Sequence, residues 1–166
     1  MLRSNSWTHF GIEGSWRRKS PTYPDQRGYF IVSYQDQDLP VKDIRFVQDN
    51  LSYSKINVLR GLHTQQGQWQ MVTVALGEIL YVTIDLDAKS TTFGKHALSP
   101  LNANSENQLV ARPGIAHGFL VLSEIAVLNY KSSIRYGETP EYAIDISPFI
   151  PNFELGQYIQ SERDKV

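Results

Sequence analysis

Apolar positions along the chain come in short runs or alternate with polar ones, and few follow the spacing of a helix. YFIVSY (29–34), IRFVQ (44–48), MVTVAL (71–76), EILYVTIDL (78–86), QLVA (108–111), HGFLVL (117–122) and AVLNYKSSI (126–134) are short and rich in Val, Ile, Thr, Phe and Tyr. That length and composition predict strands. Turn signals separate them: DQRG (25–28), Leu76-Gly77, KSTTFGK (89–95), RPG (112–114) and YGETP (136–140). Closely spaced strands between such turns predict an all-β antiparallel sandwich or barrel. Short helical turns are expected only in QDQDLPVKD (35–43) and SPLNANSENQ (99–108). The first twenty residues hold Trp7 and Trp16 but no clear period, and are expected to lie irregular or to cross to a partner subunit.

No repeat, low-complexity tract or linker-like block divides the 166 residues, so residues 1–166 read as one domain. That is long enough for one sizeable core. Charge is nearly balanced, 16 Lys and Arg against 17 Asp and Glu, which leaves no global field for nucleic acid or an anionic membrane. A small-molecule partner is expected instead. The chain has no cysteine, which excludes disulfides, thiolate metal sites and cysteine nucleophiles. No stretch approaches the ~20 apolar residues of a membrane span, and the N-terminus lacks an apolar signal core. A cytoplasmic protein is the expectation.

Candidate chemistry begins at VLRGLH (58–63). Strict alternation puts Leu59, Gly61 and His63 on one strand face and Val58, Arg60 and Leu62 on the other, unless a bulge at Gly61 redirects them. Taken alone, His63 reads either as a hydrogen-bonded interior histidine beside a surface Arg60, or as part of a site at a barrel mouth. RPGIAHGF (112–119) repeats the choice: its Pro-Gly turn delivers His117 into the next strand, as an interior histidine or as half of a cupin metal motif. The metal reading wants a second imidazole two residues after His63, where Gln65 stands, and two imidazoles alone leave a metal underligated. No metal and no cofactor are therefore expected. Trp69, Tyr81 and Phe119 read as packing aromatics.

FVQDNLSYSKINVLRGLHTQ (46–65), LGEILYVTIDLDAKSTTFGKH (76–96), RPGIAHGFLVLSEIAVLNYK (112–131) and SERD (161–164), with DQRGYF (25–30) before them, resemble the dTDP-4-dehydrorhamnose 3,5-epimerase family in order and spacing. The resemblance implies a cupin-type jelly roll, a homodimer that exchanges N-terminal strands, and a nucleotide-bound 4-keto-6-deoxyhexose as substrate. It implies a cofactor-independent epimerisation at C3, C5 or both, in deoxysugar and surface-polysaccharide synthesis. Carried over by position, His63 is the base, Tyr130 the acid on the opposite sugar face, and Asp164 the carboxylate that orients the histidine. Arg60 and His117 match the sugar and diphosphate region, and Gln48 and Asn50 polar substrate contacts. Arg27 and Phe30 of DQRGYF match a substrate-contacting segment whose arginine reaches the partner's site, and Tyr136 an aromatic near the base.

The chemistry suits these residue types. A C4 carbonyl acidifies the hydrogens at C3 and C5, and a neutral histidine, with an ordinary pKa near 6.5, is a suitable base. Three departures stand out. Gln70 occupies the place of a family lysine that donates to the C4 oxygen, and an amide stabilises an enolate less than an ammonium does. The loop after His63 is also shorter than usual, and Val32 replaces a nucleotide-contacting glutamate. The alternatives are thus a catalytically weakened nucleotide-sugar-binding homologue and, behind it, a 3,4-ketoisomerase.

Overall fold

Runs of consecutive apolar residues in MVTVAL and EILYVTID belong to strands covered on both faces, which sets the layering of the molecule. The computed structural model describes residues 6–152 and 157–165. Its strands are β1 (Thr8–His9), β2 (Ser15–Arg18), β3 (Thr22–Asp25), β4 (Gly28–Ile31), β5 (Gln48–Lys55), β6 (Leu59–Gln65) and β7 (Gln70–Leu76). There follow β8 (Glu78–Asp85), β9 (His96–Asn102), β10 (Gln108–Ala111), β11 (Ile115–Val121), β12 (Ile125–Ser132) and β13 (Glu141–Ala143). They form a six-stranded sheet ordered β1-β2-β10-β7-β12-β5, a five-stranded sheet ordered β13-β6-β11-β8-β9, and the β3-β4 hairpin. The pairings between these described strands are antiparallel, giving the all-β jelly roll of cupin type that the pattern and the resemblance imply.

The main core lies between the sheets, where Val72, Val74, Leu109 and Leu128 of one meet Ile79, Leu101, Ile115 and Val121 of the other. A second cluster covers the outer face of the five-stranded sheet: Leu59, Leu62, Val82, Ile84 and Leu120 pack under Ile146 and Ile150. A third packs Met71 and Val110 against Ile44, with Trp7, Trp16 and Trp69 at its margin. Burial on both faces removes the reason for polar alternation, so β7 and β8 read as apolar runs.

Three sequence expectations change. Residues 99–108 hold no helical turn among the described residues; Ser99–Asn102 continue β9, an edge strand where Pro100 needs no ladder partner on its open side. The strand expected at 44–48 starts only at Gln48 and runs on through the polar QDNLSYSK. The N-terminal segment is ordered from Thr8: β2 pairs with β10, setting Trp16 opposite Val110, and β1 pairs with β2. Residues 1–5 lie outside the described ones. The turn expected in 35–43 is the short 3-10 helix Asp36–Asp38.

The chain end returns to the barrel. Ile159 bridges Val58, accepting from Leu59 N–H at 2.9 Å and donating to Asn57 O at 2.8 Å. A 3-10 turn, Glu162–Asp164, then lies against β6. No helix among the described residues is long and apolar enough to cross a membrane.

Candidate active site

Residues of both sheets line a cavity of about 490 Å3. β6 lines it by breaking its own alternation. The register sets Phe119 opposite Arg60 but His117 opposite His63, so Gly61 and Leu62 together face Gly118. This bulge turns both Arg60 and His63 to the cavity and sends Leu62 into the outer core, correcting the strict alternation. Gly61 is required there: its φ is +91°, and a Cβ would lie 2.6 Å from the His117 carbonyl oxygen.

His63 Nε2 lies 2.9 Å from Asp164 Oδ1, delivered by the returning chain end. Neither atom has another hydrogen-bond partner among the described residues, so the two buried atoms face each other alone. Ser161 Oγ donates to the other carboxylate oxygen at 2.8 Å and fixes the aspartate. On the far side of the ring, Glu141 Oε1 of β13 stands 3.9 Å from Nδ1 and is itself paired with Arg163. Burial pushes the His63 pKa below its ordinary value, against the opposing pull of Asp164.

His117 is the cross-strand neighbour of His63. Burial, with the adjacent His63 adding to it, lowers its pKa to about 4. Its ring stacks parallel to Tyr81, centroids 6.3 Å apart. At neutral pH it is therefore an uncharged imidazole.

The opposite wall comes from the six-stranded sheet. Tyr130 and Ser132 of β12, Gln70 and Val72 of β7, and Gln48 and Asn50 of β5 face the same cavity. Tyr130 is flanked by Asn50 and Val72 on neighbouring strands, so its backbone is held on both sides. Gln48 donates to Asn50 Oδ1 at 2.9 Å and accepts the Tyr136 N–H at 2.8 Å, which ties the Tyr136 loop to the rim. Arg163 lies over the Tyr136 ring at 5.4 Å. Arg60 donates to Ser54 Oγ at 3.1 Å.

Nine of the residues expected at a site thus share one cavity. Arg27 and Phe30 do not: both sit on the exposed β3-β4 hairpin, where Arg27 pairs with Asp25 at 2.6 Å. Glu141, Arg163, Tyr81, Gln65 and Gln68 also line the cavity and were not anticipated as site residues. Arg163 was within reach, being inside SERD. Glu141 was not, since the short exposed strand EYA carries no apolar pattern. Among the described residues no three His, Asp or Glu side chains are grouped to hold a metal ion.

A family model described as dTDP-4-dehydrorhamnose 3,5-epimerase matches residues 9–166. The dTDP-4-dehydrorhamnose 3,5-epimerase of Salmonella typhimurium is 42% identical over 128 residues, 74% of this chain and 70% of that one. A dTDP-4-dehydrorhamnose 3-epimerase of Streptomyces niveus is 33% identical over 165 residues, 93% of this chain and 79% of that one. Among solved structures, a dTDP-6-deoxy-D-glucose-3,5-epimerase from Legionella pneumophila in complex with dTDP-4-keto-L-rhamnose superposes with a TM-score of 0.84. It is 35% identical, covering 96% of this chain and 89% of that one.

Proposed function

The chain belongs to the dTDP-4-dehydrorhamnose 3,5-epimerase family, nucleotide-sugar epimerases of deoxysugar biosynthesis, and from that premise we propose that it inverts C3, C5 or both of a dTDP-bound 4-keto-6-deoxyhexose through an enolate. The observation that carries this reading is the opposition of His63 on one sheet and Tyr130 on the other across one cavity, with Asp164 against the histidine. Inversion needs a proton taken from one face and returned to the other. Neutral His63 takes it, and Asp164 stabilises the imidazolium that forms. The Tyr130 hydroxyl returns one from the opposite wall. Gln70 faces the C4 oxygen as a neutral donor. That neutrality favours a second reading, a nucleotide-sugar binder of reduced rate.

Incubating dTDP-4-keto-6-deoxyglucose with the protein in D2O and weighing the product separates them. One deuteron above an enzyme-free control means one carbon is inverted, and two mean both. His63→Ala should lower exchange by at least ~100-fold. Binding without any deuterium gain would remove the epimerase reading in favour of the binder.

The same reading has two copies sharing sites. Phe30 and Tyr29 are 67% and 51% exposed on a hairpin that joins neither large sheet, and Arg27 stands off its own cavity. These are the properties of a segment that reaches a second copy's cavity. Mixed dimers of His63→Ala with Arg27→Ala/Phe30→Ala should then recover exchange, since one of their two sites is intact. Dimers that form without recovery would show that each chain completes its own site.

A further inference from the structure

Gln70 and Tyr81 come from opposite sheets and meet at the cavity wall. Tyr81 Oη donates to Gln70 Oε1 at 2.8 Å, with the side chains 3% and 9% exposed. An amide has an accepting end and a donating end, and a hydroxyl that holds the oxygen leaves the nitrogen for the cavity. We propose that Tyr81 is a positioning residue whose hydroxyl locks the Gln70 amide with its N–H donors toward the carbonyl oxygen of a bound keto sugar, so that a neutral pair stabilises the enolate. The inference rests on the epimerase reading and adds a residue to it.

Several features hold the pair in this sense. Tyr81 is packed within the inter-sheet core and stacked on His117 with only 6° between the rings, so its hydroxyl has one direction. The Gln70 backbone is paired on both sides, opposite Ala111 and Ser132. Burial, reinforced by nearby Tyr130, raises the Tyr81 pKa far above the ordinary phenol value, so the hydroxyl remains a donor at any working pH. Without it the amide can turn over and present oxygen to a developing oxyanion, which is repulsive. His117, neutral at pH 7, supplies no compensating charge. Donors oriented before the reaction act on the charge that appears in the transition state, so the effect belongs in kcat and not in KM.

Tyr81→Phe keeps the ring and removes the hydroxyl. Deuterium exchange should fall about tenfold in kcat with KM nearly unchanged, the size of one lost orienting hydrogen bond. Gln70→Ala should fall by ~100-fold, and Tyr81→Phe in that background should cost nothing more. Equal losses in both backgrounds, or wild-type kcat in Tyr81→Phe, would overturn the proposal. Should Tyr81→Phe fail to fold, Gln70→Glu decides: its carboxylate still accepts the Tyr81 hydroxyl but offers oxygen to the sugar, so exchange should fall below that of Gln70→Ala. Exchange at or above the alanine level refutes the donor role. The 15N-resolved side-chain amide of Gln70 gives a readout free of turnover, with one fixed pair of NH2 shifts in the wild type and moved or averaged ones in Tyr81→Phe. An unchanged amide sinks the lock even in an active enzyme, whereas a wild type inert on every keto sugar with a fixed amide that moves in Tyr81→Phe sinks the epimerase reading and leaves the lock standing.

Discussion

At the scale of single residues, His63 is set by two opposed influences. Burial disfavours the imidazolium, and the Asp164 carboxylate 2.9 Å away favours it. Burial wins, so His63 is held below its ordinary pKa and is neutral at pH 7. Glu141 pulls in the same direction as Asp164, and Arg163, paired with Glu141, pulls against them. Asp164→Asn removes charge while keeping volume. The plateau of exchange should fall by roughly 100-fold, because the imidazolium loses its stabiliser. The acid limb of the pH profile should move to lower pH, since the largest influence raising the pKa is gone. A profile of kcat/KM reads both effects, and an acid limb moving upward would show that Asp164 does not govern the histidine.

At the scale of elements, the site depends on how β6 fails to be a regular strand. The bulge at Gly61 brings Arg60 and His63, three residues apart, to one cavity, which alternation forbids. Gly61→Ala must adopt a positive φ and drive its methyl into the His117 carbonyl and the Gly118 Cα, at 2.6 and 2.8 Å. A loss of about 3 kcal/mol is expected in chemical denaturation, with exchange lost as β6 shifts. Gly94→Ala is the control: its φ is +75° but nothing lies within 4 Å, so it should cost only about 1 kcal/mol and leave exchange intact. Equal costs would mean that the close approach to β11 is unimportant. The same contrast explains what the sequence makes legible. Strands buried on both faces announce themselves as apolar runs, whereas β5 and β13 expose much of their length and β9 carries an edge proline, so pattern alone passes over them. His63, Tyr130 and Asp164 were legible through long collinear motifs. Tyr81 looked like packing, which it is, and its second role depends on a hydrogen bond between sheets that no local spacing reveals.

At the scale of the whole molecule, the polar cavity makes folding stability depend on pH. His117 titrates near 6.5 in the unfolded chain and at about 4 in the native one, so between those values only the unfolded state takes up a proton. Stability is full above about pH 6.5, falls as the pH drops through the window, and levels off near 4. A shift of that size corresponds to about 3 kcal/mol for a group enclosed on every side; the ring faces a polar cavity, so about 2 kcal/mol is the better expectation. His63, also lowered, adds in the same direction. Carboxylates held low by their partners, Asp85 beside Ser90 and Thr92 and Glu13 beside Thr91, act in a different range. Their unfolded forms protonate only around pH 4, so the contribution they make is lost below the histidine window. Between pH 7 and 5 the Tm should therefore fall by several degrees in the wild type. His117→Asn, uncharged at every pH, should flatten most of that slope whatever it does to the Tm at pH 7. An equally steep slope in the variant would place the proton uptake elsewhere, with His63→Ala the next protein to melt.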